Sequence, residues 1–230
     1  MDDKFSKMIY IFDENAGDSV LVLKGELHKY LIKVRRHREG DKIAFRNEED
    51  IKILHTYKVD SIEPKKVILS LQDSKELEIK AKKTLHVGWC KIDAKSVEKV
   101  LPSLSEMGVD KITFIECERS QRNIKLDFKR FDRILHASMQ QCGSTQKIEF
   151  ETSNSLEDFV NKYPDAKVFD FVDKTLDDVK EISTVIIGCE GGFSQNEKDM
   201  LSSQEVFRLD TPMILRSESA VICVASKVLL

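Results

Sequence analysis

The sequence has no long apolar run. None of its stretches approaches the roughly 18 consecutive apolar residues that a membrane-spanning helix needs. Residues 1–17 also lack the basic, apolar and small-residue order of a secretory signal peptide. Hydrophobic residues nevertheless make up 41% of the 230 positions, which is enough for a substantial core. We therefore predict a globular protein with no membrane contact, located in the cytoplasm.

Closely spaced cysteine pairs are also absent. The five cysteines lie far apart, form no CxxC pair and are odd in number. This pattern argues against a disulfide framework and against a zinc site. We predict buried thiols and no metal centre. The cysteines are Cys90, Cys117, Cys142, Cys189 and Cys223.

An excess of positive charge is missing too, since the net charge is -3, and this disfavours binding to nucleic acid. Locally the balance differs, because residues 28–38, here called the basic segment, carry five cations, two histidines and no carboxylate. We interpret the basic segment as an RNA grip that contacts phosphates. The alternative is the solvated side of a helix whose buried face is Leu31, Ile32 and Val34.

The first third of the chain alternates between apolar and polar residues with a period of two. The alternation covers residues 42–46, 52–59 and 66–71, with turn signals at 39–41 and 63–64. This pattern predicts a small antiparallel sheet or barrel.

From about residue 82 the pattern changes to strands that alternate with helices. We predict strands at 84–89, 111–115, 167–171 and 184–187, and helices at 94–107, 128–141 and 195–202. Such alternation is typical of an α/β domain with a parallel sheet, whose ligands lie at the carboxyl ends of the strands. The domain boundary falls in the Lys- and Glu-rich stretch 73–83, so we assign residues 1–72 to the first domain and 73–230 to the second.

Residues 187–197 form a strand, a glycine-rich turn and a helix start. Ser194 and Glu197 have the spacing of a capping box. Neither GxGxxG nor GxxxxGK[ST] is present, which excludes the usual dinucleotide and triphosphate loops. A nucleotide-like ligand without phosphates is one interpretation of this turn, and a plain strand-to-helix connection is the other.

Residues 207–220 form a loop that leads into an apolar helix at the carboxyl end of the chain. Ser217 is predicted as the N-cap of that helix, which places Glu218 in the first turn, where a carboxylate complements the helix dipole. A structural role therefore explains Glu218 as well as a catalytic one does. It explains Arg216 less well.

In combination, these segments resemble the bacterial 16S rRNA uridine N3-methyltransferase family of the SPOUT superfamily. Residues 188–194, GCEGGFS, match a family loop that usually has GPEGG followed by Phe-Ser, and residues 209–220, LDTPMILRSESA, match LGxxILRxETA. Shorter matches are Lys91 and residues 28–35, 39–41, 106–109, 118–120 and 141–143. The chain departs from the family where Cys189 replaces proline, Asp210 replaces glycine and Ser144 replaces a common arginine.

The resemblance implies an α/β protein with an N-terminal PUA-like β-barrel and a C-terminal SPOUT domain that contains a deep trefoil knot. It also implies a homodimer, S-adenosyl-L-methionine as cofactor, and methylation of N3 of a uridine in 16S rRNA within the assembled 30S subunit. Cys189 is interpreted as a small apolar substitute, because its neighbours lack the positive charge that marks a reactive thiolate.

The resemblance also suggests roles for individual residues. Arg216 would polarise the uracil carbonyls, and Glu218, or a water that it holds, would accept the N3 proton. The residues expected to hold the cofactor are Gly188, Glu190, Gly191, Gly192, Leu209, Ile214 and Leu215. The residues expected to contact RNA are Lys29, Lys33, Arg35, Arg36, Arg38, Arg119 and Arg122.

Two other functions fit the sequence. One is a SPOUT methyltransferase that modifies a different RNA atom. The second is a ribosome-binding protein that has lost its cofactor pocket, which the departures at Cys189, Asp210 and Ser144 suggest.

Overall fold

The structure is a computed structural model that describes residues 10–121, 124–179 and 181–230. It divides the chain into two compact units. Unit 1 contains the chain up to Ile79 together with Gln140–Thr145, and unit 2 contains Lys80–Met139 and Gln146–Leu230. Strand β5, Lys66–Glu76, crosses residues 72 and 73, where the domain limit is predicted.

Unit 1 is built on a five-stranded sheet. Its strands are β1 Tyr10–Phe12, β2 Val20–Lys24, β3 Lys42–Arg46, β4 Ile53–Ile62 and β5, in the order β1-β3-β4-β5-β2. All pairs are antiparallel except β1 with β3. The alternation correctly predicted the antiparallel strands β3, β4 and β5. One apolar side chain on each of these strands is completely buried, namely Phe45, Tyr57 and Leu69.

Between β2 and β3 lies a short helical segment. Helix α1, Gly25–Lys29, continues directly into a π-helical turn, Tyr30–Val34. Within this turn, Leu31 is buried, whereas Val34 is 65% exposed. The alternative in which Leu31, Ile32 and Val34 form one buried face is therefore wrong for Val34. The wider π turn carries this residue away from the face that Leu31 occupies.

Unit 2 is an α/β unit with an entirely parallel sheet, as predicted. Its strands are β6 His86–Cys90, β7 Lys111–Ile115, β8 Glu149–Ser153, β9 Lys167–Phe169, β10 Thr184–Ile187 and β11 Val206–Phe207, in the order β11-β9-β10-β6-β7-β8. β8 and β11 lie at the two edges and are absent from the sequence predictions. Edge strands that are short or polar carry little hydrophobic pattern.

The remaining helices are α2 Ala94–Met107, α3 Phe128–Cys142, α4 Leu156–Lys162, α5 Gln195–Met200 and α6 Ser217–Leu229. The predicted limits of α2 are confirmed, including its end at Gly108. Helix α5 is shorter than predicted, because a 3-10 turn, Leu201–Ser203, follows it. Within the described ranges, no helix is both long and apolar enough to span a membrane.

Two of the predicted thiols form a disulfide instead. Cys90 ends β6, Cys117 lies just after β7, and their Cα atoms are 5.8 Å apart. The prediction of thiols is therefore wrong for this pair, whereas Cys142, Cys189 and Cys223 are not in a disulfide. The sequence separation of 27 hides the pair, because only the parallel pairing of β6 with β7 brings the two strand ends together.

Candidate active site at the carboxyl ends of the parallel strands

The glycine loop, residues 188–193, connects β10 to α5. Gly192 has a φ of +64°, in the left-handed region that glycine adopts without strain. At Gly191, a Cβ atom would lie 3.3 Å from the Cβ of Arg119, which is tighter than an ordinary contact. Both positions therefore favour glycine, one for its backbone conformation and the other for close packing.

The predicted capping box at the start of α5 is confirmed. The Ser194 hydroxyl accepts the backbone N–H of Glu197 at 3.1 Å, and Oε2 of Glu197 accepts the backbone N–H of Ser194 at 2.8 Å. Oε1 of Glu197 accepts a further N–H, from Glu118, at 2.8 Å. The Glu197 carboxylate, which is only 3% exposed, therefore joins the start of α5 to the segment after β7 by hydrogen bonds.

Arg119 lies against the glycine loop. Its Nη1 donates a hydrogen bond to the Gly191 carbonyl at 2.8 Å, and the side chain is exposed to solvent. Its predicted contact with RNA stays a prediction. Arg122, assigned the same role, lies outside the described residues.

The last loop, residues 208–216, connects β11 to α6, and the predicted catalytic pair lies where the loop meets the helix. Arg216 directly precedes α6 with a side chain that is 82% exposed, and its Nη1 lies 4.0 Å from Oε1 of Glu218. Oε2 of Glu218 is buried and has no hydrogen-bond partner among the described residues. Buried carboxylate oxygens are normally paired, so this one keeps hydrogen-bonding capacity that its neighbours do not fill.

Ser217 does not have its predicted role. The N-cap of α6 is Arg216, which makes no side-chain capping bond, and Ser217 is the first helical residue. The Ser217 hydroxyl points into unit 2, where it donates to the Gly188 carbonyl at 2.6 Å and accepts from Nε1 of Trp89 at 2.8 Å. The Ser217 hydroxyl is therefore bound to Gly188 and Trp89, which are distant in sequence, and does not cap the helix.

A cavity of about 510 Å³ lies between the glycine loop and the last loop. The predicted site residues that line it are Gly188, Glu190, Gly192, Ile214, Leu215 and Arg216. Gly191, Leu209 and Glu218 are not in the lining; Leu209 is buried, at 6% exposure. The structure thus brings the two predicted loops together around one cavity at the carboxyl end of the sheet, where a parallel sheet binds its ligands.

The sequence analysis missed one wall of this cavity. Phe169, Asp170 and Phe171 line it from the end of β9, and Phe171 is 64% exposed. Asp170 also forms an ion pair with Lys198 of α5 at 3.1 Å. The sequence did carry a signal for this wall, because these residues end a predicted parallel strand, where ligands bind.

The described residues contain no cluster of His, Cys, Asp and Glu suited to a metal ion.

Comparison with known proteins places this site in a family. A family model described as an RNA methyltransferase domain matches residues 78–229. The ribosomal RNA small subunit methyltransferase E of Helicobacter pylori is 35% identical over 223 residues, which cover 95% of this chain and 98% of that protein. The chain belongs to the ribosomal RNA small subunit methyltransferase E family.

Solved structures share the fold at lower identity. The ribosomal RNA small subunit methyltransferase E of Neisseria gonorrhoeae, bound to S-adenosyl methionine, matches with a TM-score of 0.76, 16% identity and 96% coverage of both chains. A Legionella pneumophila methyltransferase in complex with the cofactor SAM matches with a TM-score of 0.75 and 24% identity, over 96% of this chain and 95% of that one. At these identities the matches show a common α/β fold.

In this member of the family, the basic segment presents its cations to solvent. All five side chains, Lys29, Lys33, Arg35, Arg36 and Arg38, belong to exposed residues. Nζ of Lys29 pairs with Glu26 at 2.7 Å, so one charge is partly neutralised from outside the segment. The exposed charges suit phosphate contacts, although the structure leaves the RNA role a prediction.

The departures from the family pattern are accommodated locally. The Cys189 side chain is 8% exposed and its thiol donates to the Gly192 carbonyl at 3.7 Å, within the glycine loop. Burial raises the pKa of this thiol, which keeps it protonated and unreactive. Asp210 is exposed and lies 3.7 Å from Nη1 of Arg208, and Ser144 is buried in unit 1.

Proposed function

We propose that this protein transfers a methyl group from S-adenosyl-L-methionine to N3 of a uridine in 16S rRNA, within the assembled 30S subunit. The observation that carries the proposal is the cavity between the two loops, with the exposed Arg216 in its lining and, two residues further along the chain, Glu218 with its unpartnered Oε2. Family membership supports rRNA methylation. The bound cofactor in the Neisseria and Legionella structures supports its identity.

The cavity suits such a cofactor in size and chemistry. Its volume of about 510 Å³ falls within the range of roughly 300–1,000 Å³ that small-molecule sites occupy. The residues that would hold the cofactor are Gly188, Glu190, Gly191, Gly192, Leu209, Ile214 and Leu215, of which Gly191 and Leu209 are outside the cavity lining. When bound, S-adenosyl-L-methionine supplies an electrophilic methyl group.

The residues of the chain perform the rest of the chemistry. The exposed Arg216 guanidinium is the cation that would stabilise the negative charge of the uracil oxygens during attack by N3. Glu218 accepts the N3 proton on its free oxygen, directly or through a water molecule. The separation of 4.0 Å between the two side chains lets them act on one base without a tight ion pair that would neutralise both.

The rRNA is held by the basic segment through its five exposed cations, with Arg119, which lies against the glycine loop, and Arg122 as further contacts. The family resemblance also supports a PUA-like barrel in unit 1, a trefoil knot in unit 2 and a homodimer that completes each site. Charge reversal at Arg35 and Arg36 should weaken 30S binding and flatten its salt dependence, because fewer phosphate contacts release fewer counterions. Unchanged binding would make the segment a solvated helical surface.

The deciding experiment is single-turnover methylation of 30S particles, followed by mass spectrometry of the nucleosides. The wild type should form N3-methyluridine, and Arg216→Ala should lower the rate about 100-fold or more, as loss of a charge-stabilising donor does. Lys227→Ala, near the other end of α6, controls for loss of one positive charge.

Three other outcomes would contradict parts of this proposal. A different methylated nucleoside would make the protein a SPOUT enzyme for another RNA atom. Failure to bind S-adenosyl-L-methionine in calorimetry would make it a ribosome-binding protein without cofactor. Wild-type rates in Arg216→Ala would remove Arg216 from the chemistry.

A further inference from the structure

Ser217 lies between the two predicted catalytic residues and is buried. It is 5% exposed, whereas the preceding Arg216 side chain is 82% exposed. Ser217 is the first residue of α6 and belongs to the cavity lining, where its hydroxyl is bound to the Gly188 carbonyl at 2.6 Å. The proposed chemistry gives this buried group no task.

The Ser217 hydroxyl joins two groups of opposite hydrogen-bonding character. Nε1 of Trp89 donates to it at 2.8 Å, and it donates in turn to the Gly188 carbonyl at 2.6 Å. An indole N–H can only donate and a carbonyl can only accept, so the direction of both bonds is determined. One hydroxyl satisfies both requirements, and neither alanine nor valine can replace it.

These two bonds connect three segments. Trp89 is completely buried on β6, next to β10 in the middle of the sheet, and Gly188 begins the glycine loop and lines the cavity. By contrast, the hydrogen bonds that the described residues 209–215 form are local, such as Thr211 N–H to the Leu209 carbonyl at 2.9 Å. The Ser217 hydroxyl, directly after the last loop, therefore links the start of α6 to the glycine loop by a hydrogen bond.

We infer that Ser217 is a positioning residue that sets the separation between the cofactor-holding glycine loop and the Arg216–Glu218 pair. The inference rests on the proposed function. In-line methyl transfer requires the methyl donor and the attacking nitrogen at a defined distance, and an error of about 1 Å costs roughly 100-fold in rate. Ser217 therefore controls the rate of methyl transfer without contacting rRNA.

The protein carries its own probe for this link. Trp89 is the one tryptophan in the sequence, so a single indole N–H resonance reports the hydrogen bond to Ser217 by NMR. The variants are Ser217→Ala, which removes the hydroxyl, and Ser217→Thr, which keeps it. Ser226→Ala is the matched control, since Ser226 lies on the same helix and is also partly buried.

In Ser217→Ala, the indole resonance should move upfield and its proton should exchange faster with water. The single-turnover rate at saturating cofactor and 30S should fall about 100-fold, with 30S affinity unchanged. Ser217→Thr should restore the resonance and most of the rate, and Ser226→Ala should match the wild type. If the indole resonance moves in Ser217→Ala while the rate stays at the wild-type value, the inference is wrong. Equal loss of rate in the threonine variant also overturns it, since that variant retains the hydroxyl.

If Ser217→Ala does not fold, Ser217→Cys provides the same test, because a thiol of similar size is a much weaker hydrogen-bonding group. A moved resonance with a wild-type rate in that variant likewise overturns the inference. Failure of the proposed function is distinguishable, because the wild type itself would then transfer no methyl group to 30S particles. An active wild type with an equally active Ser217→Ala variant rejects the positioning role alone.

Discussion

The parallel sheet of unit 2 carries two polar clusters whose carboxylates differ in how well they are paired. Near the starts of β6 and β7, Glu151 accepts hydrogen bonds from Lys111 at 2.7 Å and from Thr113 and Tyr163 at 3.1 Å, and it also pairs with Lys162. These hydrogen bonds lower the pKa of Glu151 to about 2, and the bond with Lys111 has the largest effect. At the opposite ends of the strands, Glu218 has one buried oxygen with no described partner.

The contrast shows how to separate a structural carboxylate from a functional one. Both clusters contain several titratable groups, so composition does not distinguish them. Glu151 has its hydrogen-bonding capacity filled by its neighbours, whereas Glu218 keeps capacity for a group that the chain does not supply. Unmet hydrogen-bonding capacity beside a cavity is the useful signal.

The largest effect, on the methylation rate, should come from removing the charge of Glu218. Glu218→Gln should lower the single-turnover methylation rate about 100- to 10,000-fold, because it removes the proton acceptor. Its urea unfolding should stay at or above the wild-type midpoint, since the change removes a carboxylate that has one buried oxygen without a hydrogen-bond partner. Glu151→Gln, the matched change in the other cluster, should methylate at the wild-type rate. Equal rates for the two variants would erase the distinction between the clusters.

The second effect concerns how the cavity end of the sheet is held. The Cys90–Cys117 disulfide closes a loop with a sequence separation of 27, for which chain entropy predicts about 3.5 kcal/mol of stabilisation. Reduction, or the Cys90→Ser and Cys117→Ser pair of changes, should lower the free energy of unfolding by about that amount. Denaturant titration with and without reductant measures it. Cys223→Ser, which alters a free thiol, provides the control.

A smaller effect is expected on stability at Glu151. Glu151→Gln should lower the free energy of unfolding by about 1 kcal/mol at pH 7, a modest value because the site is partly exposed to solvent. Since the folded-state pKa is depressed, this contribution is present above pH 4.5 and is lost as the pH falls toward 2. Urea titrations at pH 7 and pH 3 measure the difference between wild type and variant. A variant penalty of the same size at both values would contradict the ionic origin.

The smallest effect involves His86 in the same cluster. Burial, with the nearby charge of Lys111, lowers the pKa of His86 from 6.5 to about 4. Between these values the unfolded chain binds a proton that the folded protein does not, so stability should fall as the pH falls from 6.5 to 4. His86→Gln should reduce this slope, which unfolding midpoints at pH 7, 6 and 5 would show. The same slope in both proteins would assign the pH dependence elsewhere.

Periodicity and turn chemistry predicted much of the fold. The limits of β7, β10 and α2 were correct from the sequence, because each has a complete apolar pattern between clear boundary residues. The pattern failed at β11, which has two residues, and at β8, which lies on the sheet edge with only partly buried or exposed side chains. Strands of this kind form because a neighbouring strand already exposes unpaired backbone groups.

For the site, the sequence by itself determined the capping box at Ser194 and Glu197, because its partners lie within one helical turn. It also placed the glycine loop and the Arg216–Glu218 pair at the ends of secondary structure elements. Only the tertiary structure decided what these segments meet, namely the Cys90–Cys117 disulfide, the wall at Phe169–Phe171 and the bonds of Ser217 to Trp89 and Gly188. Local patterns encode bonds between near neighbours, whereas partners 29 or 128 residues apart are chosen by how the strands are ordered in the sheet.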